Sequence, residues 1–161
     1  MPGARRGGES DDGPTRSTDD DRPDPRHRLP EPSSRMRSVH TSAAPAPAGH
    51  YSQAIVHDGL VFVAGQLPIR PGQRDAPVGS IEEQTEQTLR NIETILDAAG
   101  SALDRVLQMT IYVSDMALWS RVNASYAVVM GEHRPARAVV PVNELHHGYQ
   151  IEIQAIAALR A

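Results

Sequence analysis

Apolar residues are sparse up to about residue 50 and dense from there to the end, and this break decides which part of the 161-residue chain can fold. Residues 1–45 alternate Arg5-Arg6, Asp11-Asp12, Asp19-Asp20-Asp21 and Arg26 with Pro23, Pro25, Pro30 and Pro32. Mixed charge, frequent proline and few large apolar side chains cannot offset the entropy lost on ordering. Composition therefore predicts a disordered extension over 1–45 and one folded domain over 46–161. The extension reads either as an interaction tail or as an inert appendage, and composition favours the second. Met36 stands just ahead of the folded part and is an alternative start.

From His50 onward the pattern is that of alternating elements. Gln53 to Val63 reads as two strands around a turn at His57-Asp58-Gly59, and Pro68 to Gly79 as a loop. Ser80 followed three residues later by Glu83 is a capping box. It opens a helix with Ile81, Thr85, Thr88, Leu89, Ile92, Ile95, Leu96 and Ala99 at helical spacing, and Gly100 is its natural stop. Leu107 to Val113 alternates as a half-buried strand does. Ser114-Asp115 caps a second helix running through Trp119, Val122, Tyr126 and Val129 to Gly131. Ala138 to Val142 and Gln150 to Leu159 are the closing strands. The order is ββ, α, β, α, ββ, with two amphipathic helices over one face of a mixed sheet. The other face needs a cover, which a symmetric partner would supply.

Two absences limit the chemistry. The chain has no cysteine, and all sixteen basic residues are arginine. Thiol nucleophiles, zinc–thiolate sites, iron–sulfur clusters and disulfides are excluded, as are Schiff-base catalysis by lysine and a covalent pyridoxal phosphate site. A formal net charge of −4 and the lack of a basic stripe argue against a nucleic-acid partner. No apolar run reaches the length needed to span a bilayer, and the N-terminus lacks the apolar core of a secretory signal. A cytoplasmic protein with no membrane partner is the expectation.

Two residues carry the strongest chemical signal. Arg137 begins an apolar strand, where it must reach outward or meet an anion; its planar fork matches a carboxylate. The alternative is an edge-strand charge or a structural ion pair. Glu152 stands between Ile151 and Ile153, where a carboxylate needs a reason to be. It reads as a general acid/base or water-positioning group, or else as the solvated side of the strand. Asn123 in the second helix and Tyr51 and Gln66 flanking the first strands are placed to orient a polar ligand, or to be ordinary surface. His146 and His147 are adjacent and lack metal-ligand spacing, so even with Glu144 nearby no metal site is expected.

These pieces together resemble the RidA/YjgF family. His50-Tyr51-Ser52-Gln53-Ala54 resembles its Gly-Pro-Tyr-Ser-Gln-Ala opening, and Ala64-Gly65-Gln66-Leu67-Pro68 its Ser-Gly-Gln-Ile-Pro element. Glu83-Gln84-Thr85 through Asn91 is similar to its first helix. Thr110 to Met116, Asn123-Ala124-Ser125-Tyr126, Pro135-Ala136-Arg137-Ala138-Val139 and Ile151 to Ala157 match its later elements in order. The resemblance covers nearly all of residues 45–160. It implies a chorismate-mutase-like α+β fold, a mixed six-stranded sheet with two helices on one face, assembled as a homotrimer with clefts between subunits. It also implies hydrolysis of 2-aminoacrylate and related enamines and 2-imino acids, without a cofactor. On this chain, Arg137 and Glu152 would be catalytic, Arg137 by binding the substrate carboxylate and Glu152 by steering water. Gly65 would help through its backbone, and Tyr51, Asn123 and Val139 would line the cleft.

Val139 stands where many members carry cysteine, and His50, Pro141 and the His146-His147 turn also depart from the family pattern. A non-catalytic carboxylate-binding or chaperone-like trimer of the same fold is the alternative function, and a hydrolase or tautomerase of one dedicated route a third. If residues 137–142 and 150–157 form a plain hairpin, Arg137 and Glu152 need a register that puts them on one face. Pro141 suggests an edge or a bulge. Otherwise the two groups meet from different subunits.

Overall fold

Asp58 and Gly59 both adopt positive φ, 47° and 78°, the geometry that a two-residue hairpin turn demands. They join β2 (Ala54–His57) to β3 (Leu60–Gln66) in antiparallel register. The structure, a computed structural model, describes residues 36–73 and 76–161. Around the hairpin are β1 (Arg37–Val39), α1 (Ile81–Ala99), β4 (Val106–Val113), α2 (Trp119–Met130), β5 (Ala136–Pro141) and β6 (Ile151–Ala158). The six strands form one sheet in the order β1-β2-β3-β6-β4-β5. β4 and β5 are parallel, joined across α2, and the other neighbouring pairs are antiparallel. This is the mixed six-stranded sheet with two helices that the resemblance implies.

The first helix forms as its sequence dictates. Ser80 accepts a hydrogen bond from the Glu83 backbone, the Glu83 carboxylate accepts one from the Ser80 backbone, and Gly100 closes the helix at φ 90°. Leu89, Ile92, Ile95 and Leu96 of α1 are fully buried, together with Met109, Ile111, Val113, Ile151 and Ile153 of the central strands. Val122 and Met130 bring α2 into the same core. Strand alternation then sends Gln108, Thr110 and Tyr112 of β4, and Glu152, Gln154 and Ile156 of β6, to the opposite face. That face carries exposed apolar surface, with Phe62 42% and Leu107 50% exposed. Among the described residues no helix is long and apolar enough to cross a membrane.

Two expectations need correction, and one open question is answered. Residues 37–45, assigned by composition to the extension, contain a strand: Arg37↔Val56 and Val39↔Ala54 pair β1 with β2. Pairing uses backbone groups, so a polar stretch joins the sheet once one side chain, Val39, is buried. The buried amide of Gln53 then fastens the following residues, accepting from Thr41 N at 2.7 Å and donating to Pro45 O at 2.9 Å. The rest of the supposed extension, residues 1–35, lies outside the described residues. Second, Asp115 caps a 3-10 turn, Met116–Leu118, and α2 proper begins at Trp119. As to the open question, β5 and β6 do not form a hairpin, because β4 lies between them. Pro141 is tolerated because β5 is the edge strand.

Candidate functional site

Arg137 lies on β5 in register with Met109 of β4, and so projects toward the helices. There it meets Asn123 and Tyr126, three residues apart on one face of α2. Its Nη2 donates to Asn123 Oδ1 at 2.9 Å, and its Cζ stands 4.7 Å from the centre of the Tyr126 ring. Burial pushes the Tyr126 phenol pKa up, while the nearby Arg137 charge pulls it back down. Arg137 itself is exposed, and among the described residues no carboxylate pairs with it. Val139, two residues along the same strand face, is half-buried against the core.

A second group forms on the other side of the sheet. Tyr51, Gly65, Gln66, His146, His147 and Glu152 line an open cleft of about 520 Å³. Tyr51 is 52% exposed and its hydroxyl accepts from Ala48 N at 3.2 Å. The β3–β6 register shifts between Val63 and Gln66, and this irregularity sets Gly65 against Glu152. A Cβ at Gly65 would overlap Glu152 Oε1, so the missing side chain is what leaves room for the carboxylate. Glu152 is half-buried, and among the described residues its side chain has no ion pair. His147 adopts φ 61°, uncommon for a residue with a side chain, and its ring lies edge-on to Tyr149. No group of three or more metal-ligating side chains occurs among the described residues.

The candidate residues thus fall into two half-sites. Arg137, Asn123 and Val139 share one; Tyr51, Gly65 and Glu152 share the other. Through β4, Arg137 aligns with Ala155 and Glu152 with Tyr112 and Val140. Two strands across and three residues along separate the Cα atoms by about 14 Å, and the odd offset sends the side chains to opposite faces. One chain cannot bring Arg137 and Glu152 onto one small molecule. Sequence reasoning missed the Tyr126 ring beneath Arg137, although its spacing from Asn123 gave the signal. It also missed that His146 and His147 border the cleft, for which no local signal existed.

Comparison with known proteins agrees with this architecture. Residues 41–159 match the family model described as endoribonuclease L-PSP. RutC family protein PH0854 of Pyrococcus horikoshii is 44% identical over 119 residues, covering 74% of this chain and 94% of its own. The YjgF gene product of E. coli superimposes with a TM-score of 0.72 at 33% identity, covering 77% of this chain and 99% of that one. E. coli TdcF with bound serine gives a TM-score of 0.72 at 30% identity, covering 78% and 99%.

Proposed function

The chain belongs to the YjgF/RidA/RutC family, and on that premise we propose that it hydrolyses reactive 2-imino acids and their enamine tautomers, 2-aminoacrylate among them, to 2-keto acids and ammonia. The acting form is a homotrimer whose sites lie between protomers, and no cofactor is needed. Water adds to the C=N carbon as the π pair moves to nitrogen, giving a carbinolamine. Transfer of the hydroxyl proton to nitrogen then expels ammonia and leaves the keto acid. An imine is already electrophilic, so positioning and proton management carry most of the work. Arg137 grips the substrate carboxylate, and Glu152 of a neighbouring protomer orients the water and takes its proton.

The observation that carries this reading is the state of Arg137: held by Asn123, lying over the Tyr126 ring, and without an acidic partner among the described residues. A structural ion pair would have engaged the fork with a carboxylate, and none among the described residues does so. Two further features support it. The sheet face opposite the helices exposes Phe62 and Leu107, which suits burial against another protomer. A structural neighbour, TdcF, holds serine, a small amino acid bearing the same carboxylate.

The test generates 2-iminobutanoate in situ and follows ammonia release above the spontaneous rate. Losing a charge-assisted fork worth roughly 1.5–3 kcal/mol, Arg137→Ala should lower kcat/KM by about tenfold to more than a hundredfold. Glu152→Gln should lower kcat by about 10²-fold or more. Co-expressed as mixed trimers, the two inactive variants should recover part of the activity, because some interfaces then pair an intact Arg137 with an intact Glu152. Full activity in Arg137→Ala would end the proposal.

A further inference from the structure

A fork that binds a planar anion must present one edge in one plane, and charge alone does not fix either. Asn123 constrains Arg137 through a single hydrogen bond of 2.9 Å, which pins one nitrogen and leaves rotation about it. A plane needs a second restraint, and the Tyr126 ring 4.7 Å from Cζ is the surface available. That ring is itself fixed: Tyr126 is 6% exposed and belongs to the core. Its hydroxyl is buried without a hydrogen-bond partner among the described residues. An unpartnered buried phenol is a net desolvation loss, so the polar atom does not explain a tyrosine here and the ring does.

We infer that Tyr126 is a positioning residue for carboxylate binding: its ring sets the plane of the Arg137 guanidinium and, together with Asn123, keeps the free edge of the fork ready for the anion. This rests on Arg137 being the carboxylate holder. Tyr126 touches no substrate, since its hydroxyl is enclosed and its ring face is covered by the guanidinium. Asn123 and Tyr126 are three apart on α2, so one helix face supplies both restraints. The rigidity of α2 is thereby passed to an otherwise exposed side chain.

The experiment compares wild type with Tyr126→Leu and Tyr126→Phe. Three readouts are taken: the Kd of 2-oxobutanoate by calorimetry, KM and kcat for 2-iminobutanoate, and the NMR position of the Arg137 Nε–H. Tyr126→Leu removes the ring and should weaken 2-oxobutanoate binding between about threefold and thirtyfold, the span of a guanidinium–ring contact. KM should rise by the same factor while kcat changes less. Tyr126→Phe returns the ring and should rescue binding to within about twofold of wild type. The Arg137 signal should be shifted by the ring in wild type and Tyr126→Phe, and unshifted in Tyr126→Leu. The inference is overturned if Tyr126→Leu binds as wild type does, or if Tyr126→Phe loses as much as Tyr126→Leu. A wild-type Arg137 signal without a ring shift overturns it too, and this readout decides even if Tyr126→Leu does not fold. Should no imine be turned over while Tyr126→Leu still weakens 2-oxobutanoate binding, the hydrolase reading fails and the positioning role stands.

Discussion

Replacing Gly65 by alanine adds one methyl group and aims it at the Glu152 carboxylate. The new Cβ would overlap Oε1 and stand 3.1 Å from Cδ and 3.4 Å from Cγ, so the carboxylate end must swing away while the stem can stay. Clearing the overlap to ordinary contact moves the oxygen by more than about 1 Å, and a displacement of that size at a reacting centre can cost about 10²-fold in rate. Stability should change little. Gly65 is not among the positive-φ residues, so alanine fits the backbone and gains about 0.4–1 kcal/mol from a stiffer unfolded chain. Pushing Glu152 off its rotamer costs about 0.5–1.5 kcal/mol, leaving a net change of about 1 kcal/mol or less, or roughly 4 °C in Tm. The assay pairs ammonia release with a thermal melt. The double variant Gly65→Ala/Glu152→Gln should be no slower than Glu152→Gln alone, because both changes act on one group. Full activity in folded Gly65→Ala would refute the reasoning, as would losses that simply multiply in the double variant.

Other outcomes follow from the helices. Ser80→Ala removes the N-cap of α1 and one half of its reciprocal pair with Glu83; urea unfolding should show a loss of about 1 kcal/mol with an unchanged m-value. Glu82 is held by hydrogen bonds from Arg121 Nε at 2.6 Å and Nη2 at 2.7 Å, which lower its pKa from 4.5 to about 2. A carboxylate depressed in the folded state stabilises above its unfolded pKa, and that contribution fades as pH falls from about 4.5 toward 2. Glu82→Gln should therefore flatten this part of the stability–pH curve relative to wild type, and added salt should shrink the difference. Superimposable curves would mean that the surface pair contributes nothing.

Local features were legible in the sequence because their causes are local. Ser80, Glu83 and Gly100 delimit α1 by their own hydrogen-bonding and φ preferences, and Asp58-Gly59 makes its turn for the same reason. β1 escaped notice because its place depends on pairing with β2, to which composition is blind. The neighbours of β5 were left open for a related reason. Consecutive strands suggest a hairpin, but β5 pairs with β4 in parallel and leaves β6 on the far side. At the site, residue types were readable and relative placement was not. Arg137 and Asn123 do meet, as do Gly65 and Glu152, and the contact at Gly65 depends on the side chain it lacks, which the sequence reading did not consider.

The separation of the two half-sites has a consequence for assembly. Strand alternation fixes the facing of Arg137 and Glu152 by parity, and no rotamer change converts an odd offset into an even one. An exposed guanidinium on the helix side of the sheet and a carboxylate on the bare side are therefore different surfaces of one protomer. On the proposed function they meet when the first surface of one protomer docks on the second surface of the next, and a head-to-tail contact of this kind makes a ring when the rotation between protomers closes, as it does in a trimer. Each interface of such a ring carries one complete site, and an isolated chain carries none. On the same reading, two opposite charges in a small domain leave each other unpaired because each would meet a neighbouring protomer rather than its own chain.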